Sequence, residues 1–231
     1  MDVVELLPRL RLLRFPVGQA YLWRDGDELT LIDAGPPGSA AAVAMACGGL
    51  RRIVLTHFHE DHVGGAGEVA AGCGAEVLAH HLDAPVVRGE LPEPPPVLQD
   101  WERPLHAQAV RRLPRVPWPR PAKVSELCDG DVLDFGGGAH VVHVPGHTDG
   151  SIALHLPRHR VLFTGDAVAA APVDGTLMLG VFNLDRARAV RSFHRLAGLD
   201  SDTACFGHGD PVIGHAATAL RRSADRYPLS P

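Results

Sequence analysis

A short stretch of the chain concentrates side chains that bind metal ions. Residues 56–62 read T-H-F-H-E-D-H and directly follow an apolar run. Side chains two residues apart in an extended segment point to the same side, so His57 and His59 can converge on one metal ion. If the chain then turns, Asp61 and His62 project to a neighbouring position. Imidazole nitrogens and carboxylate oxygens suit a borderline ion such as zinc. The spacing predicts a metal site, and its place at a strand end disfavours the alternative of a solvated histidine cluster.

Three further residues are candidates to complete the site, because one such cluster cannot fill two coordination spheres. His147 stands in P-G-H-T, Asp166 in T-G-D and His208 in G-H-G. Each motif follows a predicted strand, and each contains a glycine that lets the backbone approach closely. The other nine histidines lack such motifs and are interpreted as structural or solvent-facing. Cys205 is interpreted as a buried strand residue.

The elements that would position these residues alternate between short strands and helices. Ser39 can cap an alanine-rich helix that ends near Gly48, and Asp185 can cap a helix that runs to Leu199. Further helices are predicted over 66–71 and 215–226. This rhythm is typical of α/β proteins. The predicted strands cover 9–15, 20–24, 29–32, 53–55, 76–79, 132–135, 140–144, 151–156, 161–163 and 203–206.

Residues 83–124 interrupt this rhythm with many prolines. Each proline removes a backbone donor and fixes its own φ, so one short helix near 98–113 is expected to survive. The segment holds Trp101 and Trp118, two of the three tryptophans of the chain. Two alternatives fit this pattern: a surface excursion packed on the core, or a wall over a substrate cleft.

Composition narrows the class of protein. The 231 residues are 45% hydrophobic and 21% charged, which predicts one globular domain over 1–231 with an insertion at about 83–124. The net charge of −5 provides no basic field for a nucleic-acid backbone. The four cysteines form no C-x-x-C pair, which argues against a disulfide framework and favours buried, reduced thiols. We therefore expect a small-molecule substrate and no nucleic-acid partner.

The N-terminal residues and the apolar runs bear on localisation. The first residues lack the basic start and apolar stretch of a secretory signal, and no run approaches the roughly 18 apolar residues of a membrane span. The sequence therefore predicts a soluble, cytoplasmic protein without a membrane partner. None of these patterns encodes an oligomeric state.

The order of the motifs, T-H-x-H-x-D-H, P-G-H-T, T-G-D and G-H-G, resembles that of the metallo-β-lactamase-fold hydrolases. The resemblance runs from L-I-D-A-G at 31–35 to the G-H-G turn and so covers almost the whole chain. It implies an α/β (α+β) fold, a four-layer αββα sandwich in which two mixed sheets pack face to face with helices outside. It also implies a site for two divalent metal ions along one edge.

The resemblance further implies a ligand set and a mechanism. The two ions, zinc with iron or manganese as alternatives, would hold a bridging hydroxide that attacks a substrate carbonyl. Asp61 is expected either to carry a proton in catalysis or to serve as a ligand alone. Asp33 and Thr148 are expected to orient imidazoles. The implied ligands are His57, His59 and His147 for the first ion, Asp61, His62 and His208 for the second, and Asp166 as the bridge.

Within this family the chain looks most like the glyoxalase II-like and lactonase-like enzymes, which hydrolyse esters, thioesters or lactones. The bridged ligand set departs from that of zinc β-lactamases, and the net charge argues against RNA-processing members. His59 stands where diiron flavoprotein members have glutamate. The tyrosine that assists lactonases has no clear match, since Tyr21 and Tyr227 are the two tyrosines of the sequence. The alternatives are a mononuclear iron enzyme of the persulfide dioxygenase type, a β-lactamase or phosphodiesterase, and a metal-binding protein without activity.

Overall fold

The computed structural model describes residues 1–229. Contacts between Cα atoms divide the chain into two compact units. Unit 1 comprises Met1–Glu93 and Pro104–Leu127, and unit 2 comprises Pro94–Arg103 together with Cys128 and the residues after it. The expectation of one domain over 1–231 stays a prediction. Within 1–229, none of the helices combines the length and apolar character that a bilayer crossing requires.

Unit 1, whose residues are all described, is built on a mixed seven-stranded sheet. Its strands, in chain order and in their order across the sheet, are β1 (Asp2–Leu7), β2 (Leu10–Arg14), β3 (Gln19–Asp25), β4 (Glu28–Ile32), β5 (Leu50–Val54), β6 (Glu76–His80) and β7 (Ser125–Leu127). Tight turns connect β1, β2, β3 and β4 in succession, so each of these strands pairs antiparallel with the next. The longer crossovers before β5, β6 and β7 make the remaining pairs parallel. Parallel pairing brings the ends of β4 and β5 to the same edge of the sheet.

Short helices connect the parallel strands of unit 1. They are α1 (Ala40–Ala46), α2 (Glu60–Val63), α3 (Ala66–Cys73) and α4 (Ala84–Val87). The predicted helices after Ser39 and over 66–71 are therefore confirmed as α1 and α3. The predicted Ser39 cap is wrong, because the Ser39 hydroxyl donates to the carbonyl oxygen of Ala34 at 2.8 Å. α3 ends at Gly74, whose φ of 73° is a left-handed conformation that glycine adopts without strain.

The proline-rich segment 83–124 contains the helix α5 (Glu102–Arg112), as predicted. Pro104 fits into its first turn, where a missing backbone N–H interrupts no helical bond. Glu102 is buried, and its carboxylate accepts hydrogen bonds from Gln99 N at 2.7 Å and from Phe182 N at 3.1 Å. Glu102 therefore anchors the start of α5.

Unit 2, as far as residue 229, contains a six-stranded sheet and a separate two-stranded hairpin. The strands are β8 (Val132–Leu133), β9 (Ala139–His143), β10 (Ile152–Leu156), β11 (Val161–Phe163), β12 (Val168–Ala170), β13 (Leu177–Leu179), β14 (Thr203–Cys205) and β15 (Val212–Ile213). β12 and β13 form the hairpin, and the larger sheet has the order β15-β14-β11-β10-β9-β8. β11 pairs parallel with β14. The turns that follow these two strands therefore lie at the same edge.

Two helices, α6 (Arg186–Ala197) and α7 (Ala216–Ala224), pack on the core of unit 2 within the described residues. Asp185 caps α6 as predicted, because its side chain accepts a hydrogen bond from Arg188 N at 2.9 Å. Phe193 of α6 and Leu220 of α7 are fully buried in one cluster. Each such burial contributes about 1.5–3 kcal/mol, so this packing holds α6 in place.

Several expectations drawn from the sequence are corrected by the structure. β1 is absent from the predicted strands because it lies at the sheet edge with most side chains exposed, which removes the apolar alternation. The strand predicted over 132–135 ends at Leu133. Cys47 and Cys205 are buried as expected, whereas Cys73 and Cys128 are exposed, so the prediction of buried thiols is wrong for these two. Both exposed cysteines stand at or just beyond the end of an element, where the chain turns through solvent.

Candidate metal centre

The histidine-rich stretch connects β5 to α2 in unit 1, as the sequence predicts. His59 is extended, with φ −64° and ψ 143°, and its ring centroid lies 4.8 Å from that of His57. α2 then turns the chain, so that Asp61 Oδ2 lies 3.6 Å from His62 Nε2. The ring centroids of His57 and His62 are 4.2 Å apart. An extended segment followed by one helical turn therefore brings all four side chains together.

The chemistry of these four side chains fits a metal ion. His57 and His62 are buried, and the side chains of His59 and Asp61 keep 18% and 14% of their exposure. A ligand atom of His57 lies within 4.8 Å of one on His59 and of one on His62. Neutral imidazoles and a carboxylate are electron-pair donors that zinc and similar divalent ions bind. The loop therefore offers a compact, mostly buried donor set.

Asp33, at the end of β4, organises this loop from behind. Its Oδ2 lies 2.9 Å from His62 Nδ1 and accepts a hydrogen bond from Thr56 Oγ1 at 2.9 Å, and its Oδ1 accepts one from Thr56 N at 2.8 Å. Because the Thr56 hydroxyl donates to Asp33, its 3.0 Å contact with His57 Nδ1 assigns a hydrogen to that nitrogen. Nε2 is therefore the nitrogen of His57 and of His62 that can bind a metal. The expected contact of Asp33 is present, whereas Thr56 was not predicted although it opens the motif.

The other three predicted residues come together in unit 2. Asp166 lies in a 3₁₀ turn after β11, and His208 follows β14. Asp166 Oδ2 lies 3.2 Å from His208 Nε2 and 3.6 Å from His147 Nε2. His147 is buried, and the His208 side chain keeps 40% of its exposure. One carboxylate oxygen thus faces two imidazoles.

Two glycines make room for this arrangement. A Cβ on Gly180 would overlap the carbonyl oxygen of Asp166. Gly146 has a φ of 132°, and a Cβ there would overlap the backbone of α6. The carbonyl oxygen of His147 accepts a hydrogen bond from Leu184 N at 3.1 Å, just before α6 begins. The loop that carries His147 is therefore tied to the start of α6.

Thr148 closes the turn after His147. Its N–H donates to Ser151 Oγ at 2.9 Å, and its hydroxyl lies 2.8 Å from the same oxygen. A role of Thr148 in orienting the His147 ring stays a prediction. Three histidines outside the site contact backbone oxygens, as expected of structural residues: His143 with residue 149, His155 with residue 200 and His194 with residue 227.

A group of charged side chains that sequence patterns did not single out lies beside the loop in unit 1. Glu93 Oε1 is 3.5 Å from His59 Nε2. Burial is the main cause that raises the pKa of Glu93 to about 7, and repulsion from Glu60 adds to it. The positive charge of Arg120 acts in the opposite direction and lowers this pKa. Burial likewise raises the pKa of Glu60, with added repulsion from Asp61. A lone glutamate between prolines carries no motif, which is why Glu93 could not be found from its neighbours.

Comparisons with known sequences identify related proteins. The profile of the Metallo-beta-lactamase superfamily matches residues 13–208. Probable metallo-hydrolase YflN of Bacillus subtilis is 31% identical over 204 residues, which cover 80% of this chain and 76% of YflN. Hydroxyacylglutathione hydrolase of Cereibacter sphaeroides is 32% identical over 185 residues, which cover 79% of this chain and 55% of that enzyme.

A solved structure supports the same relationship. The metallo-beta-lactamase family protein TTHA1429 from Thermus thermophilus superposes with a TM-score of 0.66 and 27% identity, over 96% of this chain and 79% of that one. The expected fold class is therefore confirmed. With a family profile that spans most of its length and relatives of this kind, the chain belongs to the metallo-beta-lactamase superfamily.

Proposed function

We propose that this protein hydrolyses an ester, thioester or lactone bond of a small molecule at a centre of two divalent metal ions. The position of Asp166 carries the proposal, because its Oδ2 lies 3.2 Å from His208 Nε2 and 3.6 Å from His147 Nε2. A carboxylate oxygen between two imidazoles suits a ligand shared by two cations. The relative named hydroxyacylglutathione hydrolase favours an acyl thioester within this substrate class.

The proposed ligand set follows the family pattern. Asp166 is the shared ligand, and zinc is the proposed metal, with iron and manganese as ions that the same donors accept. When bound, two such ions would supply an acidic water as nucleophile and a Lewis acid for the carbonyl oxygen. The remaining ligands are His57, His59 and His147 for one ion and Asp61, His62 and His208 for the other.

Asp61 is the proposed proton carrier of the reaction. Its carboxylate keeps 14% of its exposure, so it remains accessible to solvent and to a substrate. The backbone of Gly18 packs on it so closely that a Cβ there would lie 2.7 Å from the Asp61 carbonyl oxygen and 3.3 Å from Oδ2. Gly18 thereby limits the movement of Asp61. The proposed role is to accept a proton from the water and to deliver it to the leaving group.

The test is a hydrolysis screen of protein loaded with zinc, manganese or iron(II), with elemental analysis of the same samples. The substrates are lactones, acyl thioesters, simple esters, β-lactams and phosphodiesters. We expect two ions per chain and turnover of the first three classes. One iron per chain with oxygen consumption and no hydrolysis would instead support the persulfide dioxygenase alternative. Turnover confined to β-lactams or phosphodiesters would overturn the substrate class.

A pair of aspartate variants in unit 2 makes the screen specific. Asp166→Asn should lower the number of bound ions and reduce turnover by at least about 100-fold, because its amide cannot bridge two cations with one charged oxygen. Asp174→Asn is the matched control, since Asp174 is exposed and its carboxylate accepts a hydrogen bond from Thr176 N at 2.9 Å. Equal metal content and turnover in the two variants would contradict the bridging role.

A further inference from the structure

We propose that Glu93 is a positioning residue for the metal ligand His59. The inference rests on the proposed function, because the orientation of His59 matters where a metal binds. Glu93 Oε1 lies 3.5 Å from His59 Nε2, within ion-pair distance. Since Nε2 faces Glu93, Nδ1 is the nitrogen of His59 that can bind the ion. The side chain of Glu93 keeps 45% of its exposure, so it contacts His59 from the surface of unit 1.

At each of the three histidines of the loop, an oxygen atom lies beside the ring nitrogen that is not the proposed metal ligand. An oxygen acceptor at the second nitrogen of a ligating imidazole fixes the ring and its tautomer and raises its basicity. Metal binding at one nitrogen in turn makes the N–H of the other more acidic, which strengthens its contact with a carboxylate. The three contacts are His62 Nδ1 with Asp33 at 2.9 Å, His57 Nδ1 with Thr56 at 3.0 Å, and His59 Nε2 with Glu93 at 3.5 Å.

Arg120 and Trp118 support Glu93 from the far end of the segment 83–124. The guanidinium carbon of Arg120 lies 3.9 Å from the ring centroid of Trp118. Arg120 Nη1 donates to the carbonyl oxygen of Val86 at 3.2 Å, and its charge attracts both Glu93 and Glu60. The Trp118 side chain interacts favourably with the Glu60 carboxylate. Arg120 therefore offsets the repulsion between two neighbouring carboxylates.

Both ends of the segment 83–124 thus approach the loop of residues 56–62, called the ligand loop below, in unit 1. Glu93, near the start of the segment, lies 3.5 Å from His59 of this loop, and the charge of Arg120, near the end, acts on Glu60 of the same loop. The backbone of Pro119 packs on α3 so closely that a Cβ on Gly67 would overlap its carbonyl oxygen. Of the two alternatives for 83–124, these contacts favour a wall of the site over a surface excursion.

The experiment measures metal affinity as well as turnover. Glu93→Gln keeps the size of the side chain and removes its charge. Zinc affinity, determined by competition with a chromophoric chelator, should fall about 10–100-fold at one of the two proposed metal-binding sites. The visible spectrum of the cobalt(II)-loaded protein should change, because this spectrum depends on the geometry of the ligands and His59 is one of the proposed ligands. Glu93→Asp should restore part of the affinity, which a purely structural role would not predict.

Glu90→Gln is the matched control in the same segment. Glu90 pairs on the surface with Arg88 at 2.8 Å and should leave metal affinity, spectrum and turnover unchanged. Unfolding of the metal-free variants shows whether the fold is intact. Wild-type affinity and spectrum in Glu93→Gln would overturn the inference while leaving the proposed function standing. Reduced affinity in Glu93→Gln, with no substrate turned over by the wild type, would support the inference and reject the proposed reaction. A wild type that binds no metal would overturn both.

Discussion

The Nδ1 atom of His62 lies 2.9 Å from Oδ2 of Asp33, a residue 29 positions earlier in the chain. Parallel pairing of β4 with β5 creates this contact, because Asp33 directly follows β4 and the histidine-rich loop follows β5. Asp33 N also donates to the carbonyl oxygen of Val54 at 2.9 Å, which keeps the two strand ends together. One buried carboxylate therefore links the sheet to the ligand loop.

Asp33→Asn tests this link. Asparagine tolerates the φ of 60° at this position, but its amide nitrogen cannot accept the hydrogen bonds that the lost oxygen accepts. We expect the free energy of unfolding of the metal-free protein to fall by about 2 kcal/mol. Zinc affinity should fall by about tenfold or more, because the His62 ring loses its partner. Urea unfolding and chelator competition measure the two effects. Asp27→Asn, in the exposed turn between β3 and β4, is the control, and equal effects there would refute the link.

Metal removal should weaken the fold as well as abolish turnover. An ion that binds only the folded chain stabilises it by about 2.7 kcal/mol when the free ion concentration is 100 times the Kd. We expect Tm to rise with zinc concentration and to fall again when a chelator removes the ion. Thermal unfolding across a zinc titration measures this change, and turnover should return on adding zinc back. A Tm independent of zinc, with full turnover in excess chelator, would reject the metal centre.

Gly180→Ala should disturb Asp166 without touching a ligand side chain. The new Cβ would overlap the Asp166 carbonyl oxygen, so the turn that carries Asp166 must move. Overpacking of this kind costs about 1–3 kcal/mol of stability. Elemental analysis should also show fewer ions per chain. Gly198→Ala, at the end of α6, has room for a Cβ at 3.4 Å from its nearest neighbour and should change neither quantity much. Wild-type metal content in Gly180→Ala would show that this packing does not control Asp166.

Two glycines of α3 should respond in opposite directions to alanine. A Cβ on Gly67 would overlap the carbonyl oxygen of Pro119, so Gly67→Ala should destabilise the protein by about 1–3 kcal/mol and lower zinc affinity by shifting Arg120. Nothing lies within 4 Å of a Cβ on Gly72, so Gly72→Ala should stabilise α3 by about 0.5–1 kcal/mol. Urea unfolding of the two variants measures the difference. Equal signs would contradict the packing of Pro119 on this helix.

The positions of the proposed ligands in the histidine-rich stretch are predictable because local rules place them. The two-residue period of an extended segment aligns His57 with His59, and the following helical turn brings Asp61 beside His62. The prediction of the other three residues, His147, Asp166 and His208, required the order of all the motifs, since a single glycine-flanked histidine or aspartate is common. The meeting of Asp166 with His208 in unit 2 depends on the pairing of β11 with β14.

The supporting residues are a different matter. The Thr56 hydroxyl is free to accept a hydrogen bond from His57 because it donates its own hydrogen to Asp33, whose position follows from the register of β4 and β5. Glu93 and Arg120 come from a proline-rich segment whose path no periodicity describes. The Ser39 hydroxyl turns to Ala34 instead of capping α1 for the same reason, since a tertiary contact competes with a local one.

The sequence by itself determined the candidate donor residues, the superfamily and the extended segment followed by a turn, because residue type and short-range periodicity act within a few residues. Only the tertiary structure decided which nitrogen of each loop histidine faces its supporting oxygen and which is left to bind the proposed metal. Ring orientation is set by hydrogen bonds and charges from residues far along the chain, such as Asp33 and Glu93, and folding alone brings those residues within reach.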